Sequence, residues 1–357
     1  MADDEQASGW QLTESDPGVF TELLRLLGTP LVMDELYTLD YSTLSSDPLG
    51  IISPIQALIF LFKWTADREG GDVGEGGSRG PKTGGVYDPA FAERGGFYAK
   101  QVVNNACATL AIVNALGNIP ELKVGDVLGN IFSFGVGMDA WTLGEVLTSS
   151  SDLRTIHNSL SPPSAISLDG LNLPKGESED AYHFIVYTPV GGSLVELDGL
   201  KRDAVNHGAI DDGNSWLEKA LGVIQRRIEM YPAGAVEFNL QALRPDPIPL
   251  LTSGTSSPHL TTSEVQDILH AEQAKRQRWA FENAVRRHNH LGLAVGLLQA
   301  LAKASVAGTG AAGGEGLWEK TMERAKEDMK KRVAKRREML ALAGKGGQIP
   351  EGMDFDD

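Results

Sequence analysis

The chain has a single cysteine, Cys107, in 357 residues. One cysteine cannot form a disulfide within the chain, so a reducing, intracellular compartment is expected. The longest apolar run, 51–62, is interrupted by Ser53 and Pro54 and is too short to cross a bilayer. Residues 1–10 are acidic and polar, unlike a secretory leader. Neither a secreted protein nor a membrane partner is therefore expected.

Charge is distributed unevenly around a net value of −16, while hydrophobic residues make up 41% of the chain. Residues 261–345 hold 16 basic and 10 acidic residues, 346–357 hold four acids, and 1–260 carry −18. An acidic front part favours a basic protein surface and disfavours nucleic acid. Acidity that only keeps the protein soluble remains the alternative.

Hydrophobic periodicity predicts a mixed front part and a helical end. Strands are predicted at 58–63, 183–188 and 193–198, and helices at 19–27, 105–116, 215–228, 263–304 and 317–342. The fold class is therefore α/β with an additional C-terminal helical part.

Composition divides the chain into four regions. Residues 8–244 are predicted to form one domain, 245–260 a linker, 261–345 a helical tail domain, and 346–357 a disordered acidic tail. Within the first domain, the glycine-rich 70–96 is predicted to be a flexible surface insertion, and 150–181 a long mobile loop.

Cys107 lies in the first turn of a predicted helix, with Asn104 and Asn105 as candidate capping residues. The free backbone N–H groups and helix dipole there favour a thiolate, the attacking form of cysteine. Gln101 offers a side-chain amide to an oxyanion. The alternatives are an inert buried cysteine and an ordinary surface amide.

A predicted hairpin brings a histidine to a carboxylate. If residues 189–192 form a four-residue loop, Thr188 faces Ser193, and His183 faces Asp198 on the same side of the sheet, about 5 Å apart. Such a carboxylate orients an imidazole that serves a nucleophile. An ordinary cross-strand pair remains the alternative. The other six histidines have no comparable partner and are expected to be solvated.

The segments QVVNNACAT, AYHFIVYTPVGGSLVELDGL and GWQLTESDPGVFTELLRLLG resemble the ubiquitin carboxyl-terminal hydrolase family of papain-like thiol proteases, in its long, proteasome-associated branch. The resemblance implies an α/β/α sandwich with a central, mostly antiparallel sheet, plus the helical tail. It also implies that Gln101 is the oxyanion-hole residue, Cys107 the nucleophile, His183 the general base and acid, and Asp198 its orienting residue. No cofactor or metal is implied.

The same resemblance implies a reaction and partners. The substrate is ubiquitin in its conjugates, hydrolysed after its C-terminal glycine through a thioester, and 150–181 is a loop across the active site that limits the leaving group. The tail, 261–345, is expected to dock onto a ubiquitin-receptor subunit of the proteasome, with the basic run 329–338 as anchor. The location implied is cytoplasmic and nuclear. Two alternatives remain: a catalytically silent ubiquitin-binding adaptor, and a thiol protease for another ubiquitin-like modifier.

Overall fold

The computed structural model describes residues 9–63, 83–161, 182–210, 215–231, 238–253 and 260–288, with 293, 296–298, 323–324, 327 and 331. Residues 1–162 and 178–288 form one compact unit, and 163–177 with 289–357 form a second. The predicted helix 317–342 lies almost wholly outside the described residues, as do the acidic tail and 162–181 of the predicted mobile loop.

Seven strands of the described residues form one antiparallel sheet in the order β1-β7-β2-β4-β5-β6-β3. They are β1 Leu31–Glu35, β2 Ala57–Lys63, β3 Val86–Asp88, β4 Tyr182–Val190, β5 Ser193–Leu197, β6 Ala204–Ala209 and β7 Phe238–Pro245.

The helices of the same unit surround this sheet. They are α1 Pro17–Leu26, α2 Tyr41–Ser45, α3 Pro48–Ile52, α4 Cys107–Leu116, α5 Asp126–Phe134, α6 Ala140–Ser149, α7 Ser151–Asn158, α8 Trp216–Glu229, α9 Pro247–Thr252 and α10 Thr262–Arg286. Among the described helices, none combines the length and apolar character that a membrane crossing requires.

Both faces of the sheet are buried, as strand β2 shows. Ile59 packs into the apolar cluster that includes residues of α1 and α4, whereas Phe60 packs into the cluster that includes residues of α8. Since successive side chains of a strand point to opposite faces, a strand covered on both sides is apolar throughout. The predicted α/β/α sandwich with an antiparallel sheet is therefore confirmed.

Two segments predicted to be irregular contain regular structure. In 70–96, the strand β3 pairs with β6, and Arg202 lies 4.4 Å from the ring centre of Tyr87. In 150–181, residues 151–158 form α7, capped by the Ser150 hydroxyl and anchored by buried Leu153. The glycine and serine content of these segments predicted loops. That prediction failed because the residues that stabilise the strand and the helix lie elsewhere in the chain.

Of the helix predicted at 263–304, the structure describes a first helix that ends at Arg286 and, beyond it, helical residues at 293 and 296–298. Helix α10 begins with a capping box of Thr261 and Glu264, as helix starts often do, and ends at Arg286. It packs on α1: Asn283 donates to the Gly18 carbonyl over 3.0 Å, and Arg286 pairs with Asp16 at 2.7 Å. This helix thus belongs to the same unit as the sheet. The boundaries 8–244 and 261–345 stay predictions, and α9 lies within the predicted linker.

Gly18 sets how closely α10 approaches α1. A Cβ at Gly18 would lie 2.7 Å from Cγ of the buried Trp279. We expect Gly18→Ala to lower the free energy of unfolding by about 1–3 kcal/mol, because the helices must separate. The matched control is Gly222→Ala in α8, where the nearest atom is a flexible guanidinium nitrogen of Arg226 at 3.8 Å. It should be neutral or stabilising by up to about 1 kcal/mol. Urea denaturation measures both, and equal effects would contradict this packing.

Candidate active site

Helix α4 begins at Cys107, after a sharp turn at Asn105. Asn105 has a φ of 65°, a left-handed conformation that asparagine tolerates better than most residues, and its side chain donates to the Trp10 carbonyl over 3.3 Å. The N-cap is Ala106, without a side-chain cap. The prediction that Asn104 or Asn105 caps the helix is therefore wrong, because Asn105 forms the turn instead.

Burial and the helix start act on the thiol of Cys107 in opposite directions. Burial raises its pKa to about 11, while the backbone N–H groups of Cys107 and Ala108 act in the opposite direction. The predicted thiolate at the helix start is thus wrong for this state, since loss of solvation outweighs the amides. At neutral pH the group is a thiol.

The hairpin has a different register from the predicted one. Val190 pairs with Ser193, so the loop is Gly191 and Gly192, with φ angles of 55° and 77°. Two successive positive φ angles suit a tight two-residue turn. The register differs by two residues from the prediction, and an even shift keeps each side chain on its face.

His183 and Asp198 therefore still meet. His183 donates from Nε2 to Oδ1 of Asp198 over 2.6 Å, and both residues are buried. Burial alone would raise the pKa of Asp198, but the charge and hydrogen bond of His183, with the charge of Lys201, hold that pKa below its usual value. The Leu200 amide also donates to Oδ1, over 3.0 Å. The carboxylate is thus kept ionised and aimed at the imidazole.

Gln101 is hydrogen-bonded to the turn that follows β5 and contains Asp198. Its backbone N–H donates to the Gly199 carbonyl over 2.9 Å, and its Oε1 is buried without a hydrogen-bond partner among the described residues. Tyr98, nearby, places its hydroxyl 2.5 Å from the carbonyl oxygen of Asp198 and 2.7 Å from that of Lys201. The segment before α4 is thereby fixed against the turn after β5.

Cys107 and His183 are not joined: in the described part of the chain, no hydrogen bond links them. The structure thus joins His183 to Asp198 and holds the backbone of Gln101 against the turn after β5, but within the described ranges it shows no hydrogen bond between the thiol and His183. The catalytic roles of all four residues stay predictions. No group of three or more His, Cys, Asp or Glu side chains among the described residues is arranged to hold a metal ion.

Two further histidines were expected to be solvated, and this is wrong. His157 donates from Nε2 to the Gln11 carbonyl over 2.6 Å and accepts from the Thr109 hydroxyl over 2.7 Å. His207 donates to Glu196 over 2.9 Å, with a side chain only 2% exposed. Their partners lie on other elements, so no local sequence signal identifies them. His259 and His290 lie outside the described residues.

A thiol at a helix start and a buried histidine–carboxylate pair are components that thiol proteases use. The family model described as ubiquitin carboxyl-terminal hydrolase, family 1, matches residues 10–229, and one described as ubiquitin carboxyl-terminal hydrolases matches 262–306. The chain belongs to ubiquitin carboxyl-terminal hydrolase family 1 and is a deubiquitinating cysteine protease.

Individual relatives agree with this assignment. Ubiquitin carboxyl-terminal hydrolase ubh-4 of Caenorhabditis elegans is 35% identical over 310 residues, 83% of this chain and 88% of the relative. Ubiquitin carboxyl-terminal hydrolase 2 of Schizosaccharomyces pombe is 35% identical over 319 residues, 89% and 96% of the two chains. A solved structure of Trichinella spiralis UCH37 bound to ubiquitin vinyl methyl ester has a TM-score of 0.56 at 28% identity, covering 76% of this chain and 99% of that one.

Proposed function

We propose that this enzyme hydrolyses the bond after the C-terminal glycine of ubiquitin, with Cys107 as nucleophile, His183 as base and acid, Asp198 as orienting residue and Gln101 in the oxyanion hole. The observation that carries the assignment is the 2.6 Å hydrogen bond between His183 and Asp198. In addition, the backbone of Gln101 is hydrogen-bonded to Gly199, the residue that follows Asp198. The first bond orients the base, and the second holds the backbone of Gln101 against the turn that carries Asp198.

The reaction begins with a protonated thiol, because burial raises the pKa of Cys107 to about 11. The thiol and His183 are in contact when the imidazole takes the proton as sulfur attacks the carbonyl carbon. His183 then protonates the leaving amine as the carbon–nitrogen bond breaks, forming a thioester. Water, deprotonated by His183, displaces the thiol and releases the ubiquitin carboxylate.

Ubiquitin as the bound modifier is supported by the relative that was solved with ubiquitin vinyl methyl ester. The test compares fluorogenic C-terminal amides of ubiquitin and of two other ubiquitin-like modifiers. We expect kcat/KM to be at least about 100-fold higher for ubiquitin, because the pocket must match more than the terminal glycine. Preference for another modifier would reassign the enzyme, and binding of ubiquitin without hydrolysis would indicate a silent adaptor.

We further propose that the tail, 261–345, docks onto a ubiquitin-receptor subunit of the proteasome. The enzyme would then act in the cytoplasm and nucleus. The docking is supported by apolar side chains that the described residues after 288 expose, Leu293, Leu297 and Leu298. Exposed apolar groups at helical spacing suit a partner helix or groove. The basic run 329–338 lies almost wholly outside the described residues.

Co-purification with proteasomes tests the docking. The full chain with Leu293→Asp and Leu297→Asp should lose proteasome association but keep hydrolysis of the fluorogenic ubiquitin amide. Val86→Asp, which changes an equally exposed apolar residue on β3, is the matched control and should bind as the wild type does. Unchanged proteasome binding by the double variant would exclude these leucines as the docking surface. Imaging of the tagged protein tests the proposed cytoplasmic and nuclear location.

A further inference from the structure

A buried cluster of charges lies directly behind the histidine–carboxylate pair. Glu196 on β5 is fully buried and pairs with Lys201 at 2.6 Å, Arg227 of α8 at 2.8 Å and His207 of β6 at 2.9 Å. The carboxylate of Glu196 thus faces a lysine amine and an arginine guanidinium.

Lys201 is the member of the cluster that reaches the active site. Its Nζ lies 3.9 Å from Oδ2 of Asp198, the carboxylate oxygen that His183 does not bond. Lys201 is itself held in place, because its backbone N–H donates to the Asp198 carbonyl over 2.9 Å. One ammonium group therefore bridges two buried carboxylates.

Asp198 needs such a cation because its other partner changes charge. His183 is an imidazolium in part of the proposed reaction and a neutral imidazole in the rest. A buried carboxylate that faces only neutral groups tends to take up a proton, and a protonated Asp198 no longer stabilises a charged His183. Burial and the charge of Glu196 favour that protonation, while His183 and Lys201 oppose it. Tyr98 is the other ionisable side chain that contacts this turn.

We propose that Lys201 is a positioning residue: its ammonium group, 3.9 Å from Asp198, supplies the positive charge that keeps Asp198 ionised while His183 is neutral. Glu196 limits this effect by sharing the same ammonium group. The inference rests on the proposed catalytic roles of His183 and Asp198. It gives the buried Glu196 cluster a part in catalysis in addition to its part in packing.

Lys201→Met tests this through the pH dependence of kcat/KM for a fluorogenic ubiquitin amide. The folded pKa of Asp198 is depressed, so activity that needs its charge is lost as pH falls through that value. Removal of the ammonium raises that pKa, and the acidic limb should move to higher pH by about one unit. Lys201→Arg should restore the limb, and KM should change less than kcat.

Glu196→Gln supplies the opposite shift and decides the matter if Lys201→Met fails to fold. Without the competing carboxylate, Lys201 acts on Asp198 alone, and the acidic limb should move to lower pH. The inference would be overturned if the folded variants were less active at every pH but kept the acidic limb of the wild-type profile. It would also be overturned if Lys201→Met and Glu196→Gln moved the acidic limb in the same direction. Absence of ubiquitin hydrolysis in the wild-type protein would instead overturn the proposed function.

Discussion

Replacement of Cys107 by alanine is expected to lower the hydrolysis of ubiquitin amides by at least about 10⁴-fold, as removal of a catalytic nucleophile does in other hydrolases. The thiol is the only one in the chain, so no neighbouring cysteine can substitute for it. The change removes one sulfur atom at a helix start, where alanine is well accommodated. Affinity for ubiquitin should therefore be retained.

The measurement uses ubiquitin with an electrophilic C-terminus. The wild-type protein should form one covalent adduct per chain, visible as a mass increase, and Cys107→Ala should form none. Calorimetry with unmodified ubiquitin serves as the control for folding and binding. An adduct that persists in Cys107→Ala would show that another side chain is the nucleophile and would contradict the assigned mechanism.

Asp198→Asn is expected to lower kcat by about 10⁴-fold, the size of effect known for the same change in a serine-protease triad. The amide has nearly the same shape as the carboxylate but no charge. It cannot stabilise an imidazolium at His183, and its NH₂ group offers a donor where the imidazole Nε2 needs an acceptor. Ubiquitin affinity should change little, since Asp198 is buried behind the imidazole.

A matched control lies five residues further along the chain. Asp203 is half-buried and pairs with the exposed Arg202 at 3.3 Å, so Asp203→Asn changes the same charge outside the hydrogen-bonded pair. It should leave kcat within about three-fold of the wild type, because an exposed ion pair contributes little. If Asp198→Asn instead weakened ubiquitin binding as much as turnover, Asp198 would be a structural residue.

Local pattern was enough to predict the elements that carry the candidate site. The helix of Cys107 and the strands of His183 and of the residues before Asp198 have strong apolar periodicity, and each forms where it is predicted. The loop length was not predictable, because Val190 and Ser193 fit a strand as well as a loop. Only the pairing between β4 and β5 selects the two-glycine turn.

Elements that depend on distant partners were missed. Strand β7 lies between β1 and β2, although it follows β1 by about 200 residues, and short β3 exists as a strand only through its pairing with β6. The position of α10 on α1 likewise depends on the contact between Gly18 and Trp279. Such pairings leave no periodic signal in either segment alone, so composition favoured loops or a separate tail.

By itself, the amino-acid sequence determined which thiol is available as a nucleophile, because the chain has a single cysteine. It also determined that His183 and Asp198 share a face, because an even shift in register preserves the face. The ionisation of the site was decided by the tertiary structure. Burial raises the pKa of Cys107. Lys201 lies close to Asp198 because it also pairs with Glu196, which in turn contacts Arg227 and His207. Solvation and charge pairing depend on every group nearby in space, and most of those groups lie far away along the chain.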